Sequence, residues 1–316
     1  MPGTALVPAG VEADAVAQLF WIMALGAVVV WLAVVGLAIW GGTRRREARS
    51  AAESRRIARW LVVGGGMVAP TLLLGALLVY GLVLMPRLRA PPPADGVGAA
   101  LEIAVTGEQF WWRVRYLRPG APPVELANEI HLPVGERIGL RLDSPDVIHS
   151  FWVPALAGKV DMIPGRTTTL MLEPTRTGVY DGACAEFCGT SHAFMRLQAI
   201  VTARRDFDAW LQHQAAPAQP PGSALARAGR AAFLRNGCGA CHAIRGTPAR
   251  GRLGPDLTHV GSRRLLAAGV LRNDSAGFRR WIADTHAVKP DALMPAFGML
   301  PEADIRAIAA YLDGLE

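Results

Sequence analysis

The chain has 316 residues, with 33 Lys and Arg against 26 Asp and Glu, a net charge of +7 and a positive mean hydropathy of +0.25. That length allows two or three domains, and the hydropathy, concentrated at the N-terminus, is unusual for a soluble protein. The charge is uneven: residues 1–96 carry nine Arg and five acids, 97–213 carry 11 basic and 13 acidic residues, and 224–316 carry 13 and eight. The basic balance is therefore no argument for nucleic-acid binding, and the chain carries no motif for it.

Residues 1–13 hold no Lys or Arg, whereas a secretory signal would begin with positive charge. Two charge-free runs follow, over about 16–40 and 60–85, each long enough to span roughly 30 Å of hydrocarbon. Trp21, Trp31, Trp40, Trp60 and Tyr80 fall mainly near their ends, where amphipathic rings favour the membrane interface. Between the runs, the loop 43–59 holds Arg44, Arg45, Arg46, Arg49, Arg55, Arg56 and Arg59. The positive-inside rule puts this loop in the cytoplasm, with the N-terminus and everything beyond 85 outside. Neither run contains an Asp, Glu, Lys, Arg or His, so these helices offer no intramembrane proton relay of their own. Pro70 and the Gly64-Gly65-Gly66 run predict a bend or a close helix contact. Residues 1–90 are expected to form a two-helix transmembrane hairpin.

Residues 86–100, with Pro91-Pro92-Pro93, predict a stiff exit linker. Short runs of alternating hydrophobicity then appear at 101–106, 112–116 and 138–142, with further strand candidates at 167–172 and 197–202. An antiparallel β-sandwich or Greek-key barrel is expected over 97–213, ending in a short helix at 206–214. Residues 214–223 are a Pro/Ala linker and predict a domain boundary.

The densest chemistry lies in Cys184-Ala185-Glu186-Phe187-Cys188-Gly189-Thr190-Ser191-His192-Ala193-Phe194-Met195. Thiolate, thioether and imidazole form the soft donor set that selects copper, zinc or iron, and the thioether favours copper because zinc rarely uses Met. Two thiols in one loop could bridge two ions. His149, in Asp146-Val147-Ile148-His149-Ser150-Phe151-Trp152-Val153-Pro154, is the obvious second imidazole. A structural disulfide between Cys184 and Cys188 is the competing reading, and it leaves the neighbouring donors unexplained.

The pattern C-x3-C-x3-H-x2-M, with the upstream D-x2-H-S-F-W-V-P, resembles the dinuclear copper (CuA) site of cytochrome c oxidase subunit II. The segment 159–166 also resembles that family. The resemblance implies a cupredoxin fold in which Cys184 and Cys188 bridge two coppers and His149 and His192 each cap one. Met195 and the backbone carbonyl of Glu186 would be weak axial ligands. It further implies that the Glu186 side chain helps bind magnesium at the interface with the catalytic subunit. The cluster Gly107-Glu108-Gln109-Phe110-Trp111-Trp112 is similar to the family as well, making Phe110, Trp111 and Trp112 a candidate electron path. The family often has Trp where this sequence has Phe110, the position proposed to receive electrons from cytochrome c. The departure is coherent with arrival by another route.

That route is suggested by residues 224–316. A helix predicted over 224–236 leads into Cys238-Gly239-Ala240-Cys241-His242. C-x-x-C-H is the c-type haem attachment motif: two thiols add across the haem vinyls and the adjacent His ligates iron. A thioredoxin-like redox pair would want a surrounding βαβ pattern, which is not found here. Met294, Met299, His259 and His286 are local candidates for the sixth ligand. Met294 is favoured because Lys289-Pro290-Asp291-Ala292-Leu293-Met294-Pro295, ahead of a final amphipathic helix at 302–315, resembles the distal segment of class I cytochromes c. His/Met ligation raises the haem potential. Gly254-Pro255-Asp256-Leu257 resembles the segment in which the Pro carbonyl orients the proximal imidazole, and Trp281 is expected near the haem edge. An all-α class I cytochrome c domain is expected.

Nearly the whole chain therefore resembles the haem-c-fused form of cytochrome c oxidase subunit II. The resemblance implies a multi-pass protein of a bacterial cytoplasmic membrane with both cofactor domains on the periplasmic side. Electrons would pass from an external donor, a cytochrome c or a quinol:cytochrome c reductase, through one haem c to CuA. They would then reach the haem of subunit I, which reduces oxygen and pumps protons, with subunit III as a further partner. The chain itself carries no identifiable oxygen-reducing site. A nitric oxide reductase small subunit and, from another class, a copper chaperone for oxidase assembly are the alternatives.

Overall fold

The computed structural model describes residues 5–43, 50–88 and 101–316. Arg44, Arg45, Arg46 and Arg49 of the predicted cytoplasmic loop, and Pro91-Pro92-Pro93 of the predicted exit linker, lie outside the described residues. The chain divides into two compact units, Ala15–Ala90 and a larger one of Met1–Asp14 with Pro91–Glu316.

Among the described residues, two helical stretches are long and apolar enough to cross a membrane: Val11–Thr43, of 33 residues, and Ala51–Met85, of 35 residues, with 18-residue windows of mean hydropathy 2.7 and 2.2. The first, α1 (Val11–Thr43), opens with Glu12 and Asp14, which suit the positive end of the helix dipole. The second begins as α2 (Ala51–Arg59), continues as a π-helical segment Trp60–Val68 and ends as α3 (Ala69–Leu88). The reading of 43–59 as loop is thus corrected for its second half. Ser50 caps α2 by accepting from the Glu53 N–H at 3.2 Å, and the Ser50-x-x-Glu53 spacing is a capping-box signature. The π-helical turns precede Pro70, whose missing N–H leaves an upstream carbonyl without its usual partner. The Ala69 N–H reaches Gly64 O, one residue further back than in an α-helix.

In the larger unit, ten strands form two packed five-stranded sheets. They are β1 (Leu101–Glu108), β2 (Trp111–Arg118), β3 (Ala121–Ala127), β4 (Glu129–Pro133), β5 (Ile138–Asp143), β6 (His149–Trp152), β7 (Val160–Met162), β8 (Thr168–Leu172), β9 (Gly178–Cys184) and β10 (Arg196–Thr202). One sheet runs β3-β2-β1-β5-β8 and the other β4-β10-β9-β6-β7. The expected all-antiparallel pairing is corrected at two places, because β1 pairs with β5 and β10 with β4 in parallel. Parallel neighbours need a long crossover, and here the chain visits the opposite sheet between partners. Strands with one buried face alternate as expected: Trp112, Val114 and Tyr116 on β2, and Leu197, Ala199 and Val201 on β10, point into the core. Central β1 does not alternate, since 103–107 are all buried.

The segment before α1 is part of this domain. Ala9 is fully buried, its N–H donates to Ala155 O at 2.7 Å, and its carbonyl accepts from Thr175 N at 2.7 Å. The Val11 N–H donates to Glu173 O at 3.0 Å. The sandwich closes with α4 (Arg204–Ala215), whose Phe207 and Trp210 pack on Tyr116.

The C-terminal domain is built from α5 (Ala224–Arg235), α6 (Ser275–Ala283), α7 (Thr285–Val288) and α8 (Glu302–Asp313) around its own core, which includes Phe233, Ile282, Ile308 and Tyr311. It also has a two-stranded hairpin, β11 (Leu265–Leu266) and β12 (Leu271–Arg272), that the all-α expectation lacked. Helices α5 and α8 meet at Gly229, where a Cβ would lie 1.9 Å from Ala307 O. Gly229→Ala is therefore expected to cost about 1–3 kcal/mol through overpacking. Calorimetry should show a lowered transition for this domain and an unchanged one for the sandwich.

Candidate metal and haem centres

The strand β6 begins at His149 and pairs with β9, which ends at Cys184, so the sheet register carries the histidine to the loop that follows. His149, Cys184 and Cys188 are buried, and their ligand atoms lie within 4.8 Å of one another. Among the described residues this is the one such group of three or more His, Cys, Asp or Glu. His149 Nδ1 is 3.8 Å from Cys184 Sγ, and His192 Nδ1 is 3.5 Å from Cys188 Sγ. Met195 Sδ lies 3.9 Å from Cys188 Sγ, and Glu186 O 3.2 Å from Cys184 Sγ. The structure therefore brings all six expected donor atoms together. The set is soft and sulfur-rich, with His149, Cys184, Cys188 and Met195 buried, which fits copper. Glycine makes room for it: at Gly107 a Cβ would lie 3.0 Å from the His149 ring.

The two sulfurs titrate together. Cys188, hydrogen-bonding to the Cys184 sulfur, is the largest influence pulling the Cys184 thiol far down, with His149 assisting against burial. The same pairing, with burial, pushes Cys188 up. A metal that binds both sulfurs must displace the proton they share.

One partner of the site was not assigned from the sequence. Asp146 Oδ1 lies 2.9 Å from His149 Nε2, and since a carboxylate only accepts, the ring proton sits on Nε2 and Nδ1 is left free towards the sulfurs. Burial pushes the Asp146 carboxyl up, but the Gln109 and Val147 N–H groups and His149 outweigh it and hold it below the usual carboxylate range. The Asp-x-x-His spacing was the available signal. Removing such a partner costs about 10–100-fold in metal affinity, so Asp146→Ala is expected to weaken copper binding by that order in a competition titration with a chelator.

The Glu186 carboxylate, expected to help bind magnesium at the interface with the catalytic subunit, is about half exposed and lies 3.7 Å from Lys159. It joins no carboxylate cluster among the described residues.

The aromatic turn lies against the copper loop. Phe110 is buried, and a Cβ on Gly189 would come within 3.0 Å of its ring. Gln109 Nε2 donates to Cys188 O at 2.7 Å. Trp112 is fully buried, with its ring 6.3 Å from His149 and 5.7 Å from Phe151. Trp111 lies half-buried beneath the Arg113 guanidinium, 4.6 Å from it.

In the C-terminal domain, Cys238 and Cys241 are free, half-buried thiols on a short 3-10 turn after α5. His242 Nδ1 lies 2.8 Å from Pro255 O, which accepts its proton and leaves Nε2 free for iron. Burial lowers the His242 pKa, keeping the imidazole neutral as ligation requires. Met294 packs half-buried against the same core as Cys238 and Trp281. The Thr285 hydroxyl holds its backbone by donating to Met294 O at 2.8 Å. The other sixth-ligand candidates are otherwise placed: both His259 nitrogens face backbone carbonyls, Glu316 O at 2.9 Å and Ala216 O at 3.0 Å, while His286 is exposed and Met299 is 77% exposed. These donors fit a covalently held haem.

Comparison with known proteins gives both centres a family. Residues 115–202 match the family model described as cytochrome c oxidase subunit II, periplasmic domain, and residues 226–316 match that of cytochrome c. Cytochrome c oxidase subunit 2 of Alkalihalophilus pseudofirmus is 41% identical over 214 residues, covering 68% of this chain and 61% of that protein. The alternative cytochrome c oxidase subunit 2 of Bradyrhizobium diazoefficiens is 34% identical over 199 residues, covering 54% of this chain and 68% of that protein. The crystal structure of the periplasmic domain of subunit II of cytochrome oxidase of Bradyrhizobium japonicum is similar at 32% identity, covering 37% of this chain and 94% of that one, with a TM-score of 0.35. The chain spans about three-fifths of the length of the first of these relatives. On the two matched domains and the coverage of the Bradyrhizobium relative, the chain belongs to the cytochrome c oxidase subunit II family, in a form that carries a cytochrome c domain.

Proposed function

We propose that this chain is the electron-relay subunit of a haem–copper oxidase, taking electrons in at the cytochrome domain and passing them through the sandwich to a separate catalytic subunit I. That subunit would reduce oxygen to water and couple the reaction to proton pumping. The observation that carries the reading is one chain holding two different one-electron donor sets, the soft cluster around Cys184 and Cys188 and the C-x-x-C-H turn at Cys238. When bound, a copper pair and a haem c would each supply reversible one-electron chemistry.

The chain's own groups do the rest. Cys184 and Cys188 would bridge, His149 and His192 would cap, and Met195 and the Glu186 carbonyl would complete the site axially. The burial of Cys184, Cys188 and Met195 keeps water from these donors. Cys238 and Cys241 would anchor haem covalently, with His242 and Met294 as axial ligands and the Pro255 carbonyl fixing the imidazole tautomer. Phe110, Trp111 and Trp112 would lie on the electron path. The two apolar helices would hold both domains at the periplasmic face of a bacterial membrane, with the Arg-rich segment in the cytoplasm. A net basic cytochrome domain suits an acidic or neutral external donor.

The test is metal analysis with EPR on the full chain, matured with haem and loaded with copper. Two coppers and one covalent haem per chain, with a delocalised mixed-valence signal, are expected. A single isolated copper, or none with a Cys184–Cys188 disulfide, would overturn the reading.

A further inference from the structure

The proposed relay needs the two cofactor domains to meet, and the sequence suggests only a tether between them. The larger unit contains a built junction instead. The segment that follows α4 is held on the cytochrome domain, where Ala218 N donates to Arg245 O at 3.0 Å and Ala216 O receives His259 Nε2 at 3.0 Å. Away from the linker, two loops of the cytochrome domain contact the turn that carries Phe110 and the start of β2 that follows it. On the His242 side, Arg113 Nη2 donates to Arg252 O at 3.1 Å and Leu253 O at 3.4 Å. Arg113 is itself fixed by Glu108 and Glu125, each at 2.6 Å. On the Met294 side, Lys289 Nζ donates to Phe110 O, and the Ser191 hydroxyl donates to Pro290 O.

Lys289 is 3% exposed and Ser191 fully buried. Burying a lysine amine is costly unless a hydrogen-bond partner compensates. For Lys289 that partner lies on the other domain. Ser191 stands between Cys188 and His192, while Lys289 and Pro290 open the segment that ends at Met294. The Ser191 bond therefore joins the loop of the expected copper ligands directly to the loop of the expected distal haem ligand, and the Lys289 bond joins that second loop to the aromatic turn lying against the copper loop. A second chain of contacts runs from Cys188 O through Gln109 Nε2 and the Phe110 carbonyl to Lys289.

We propose that Lys289 and Ser191 are positioning residues of an interdomain clamp that seats the Met294 loop on the copper loop, and that electrons cross between the domains at this junction. The inference rests on the relay reading and specifies where the relay passes. The clamp makes the crossing independent of diffusion of the tethered domain. Without it, the crossing must wait for the domain to find its seat.

The test uses the full chain in detergent, unsubstituted and as Lys289→Met, Ser191→Ala and the double variant. In the copper-free chain, hydrogen exchange of peptides covering 187–194 and 289–294 is expected to quicken about tenfold in the double variant, the effect of losing a buried hydrogen bond. Peptides from the two cores should not change. In the loaded chain, flash-initiated haem-to-copper transfer is expected to slow about tenfold and become dependent on solvent viscosity, which the unsubstituted rate is not. Haem potential and copper EPR should stay fixed. Unchanged exchange and an unchanged, viscosity-independent rate in the double variant would overturn the clamp, and Ser191→Ala alone reads the same effect if Lys289→Met folds poorly. Absence of haem-to-copper transfer in the unsubstituted chain would overturn the relay itself, while exchange in the copper-free chain would still decide the clamp.

Discussion

Cys188→Ser is expected to abolish the mixed-valence copper signal and to cut electron delivery to the partner by more than about 100-fold, beyond the 10–100-fold that follows loss of a ligand's hydrogen-bond partner. Cys188 is the hub of the cluster. Its sulfur touches His192 Nδ1 at 3.5 Å and Met195 Sδ at 3.9 Å, and it lies within 4.8 Å of Cys184 Sγ. A serine hydroxyl is a hard, weakly acidic donor and would not share an electron between two coppers. The replacement is nearly isosteric in a buried position, so the sandwich should still fold. EPR and copper analysis on the purified variant check the first half, and oxygen uptake by the complex checks the second. A retained mixed-valence signal would show that Cys188 is not a bridge.

The second large effect is expected at the other centre. Replacing Cys238 and Cys241 together with alanine should remove covalent haem altogether, read as loss of haem staining on a denaturing gel. The two thiols lie on one short turn, three residues apart, immediately before His242. Without the thioether bonds, haem would be held only by axial ligation and the apolar pocket. The copper EPR signal should persist in this variant, because the sandwich and the C-terminal domain have separate hydrophobic cores. Electron uptake from an external donor should fall to the background set by direct copper reduction. Retention of covalent haem, or simultaneous loss of copper, would contradict the assignment.

Both centres were legible in the sequence because most of their chemistry is local. Five of the six expected copper donors fall between Cys184 and Met195, and the haem-attachment residues are contiguous from Cys238 to His242. His149 is 35 residues from Cys184, yet its own D-x2-H-S-F-W-V-P context marked it. What the sequence left open depends on non-local geometry. No local pattern reports that Lys289 reaches Phe110, 179 residues away, or that Arg113 reaches Leu253, 140 residues away. The parallel β1–β5 and β4–β10 pairs are hidden for the same reason, since alternation marks a buried face and not a neighbour's direction. The docking of Ala9 on the sandwich is hidden as well, because a short apolar segment can dock as an edge partner without any periodicity. The start of α2 is different: Ser50 and Glu53 at capping-box spacing were readable, but the Arg-rich composition of 43–59 drew the reading towards loop.

The central claim is that electrons pass through this chain in a fixed order, from the cytochrome domain to the copper loop and then to the partner. The most direct measurement is flash reduction of the haem in the intact oxidase complex, followed at haem and copper wavelengths together. The account predicts that haem reoxidation and copper reduction share one first-order rate constant, independent of protein concentration, and that both are lost in Cys188→Ser. Haem reoxidation that outruns copper reduction, or that proceeds unchanged in Cys188→Ser, would contradict it.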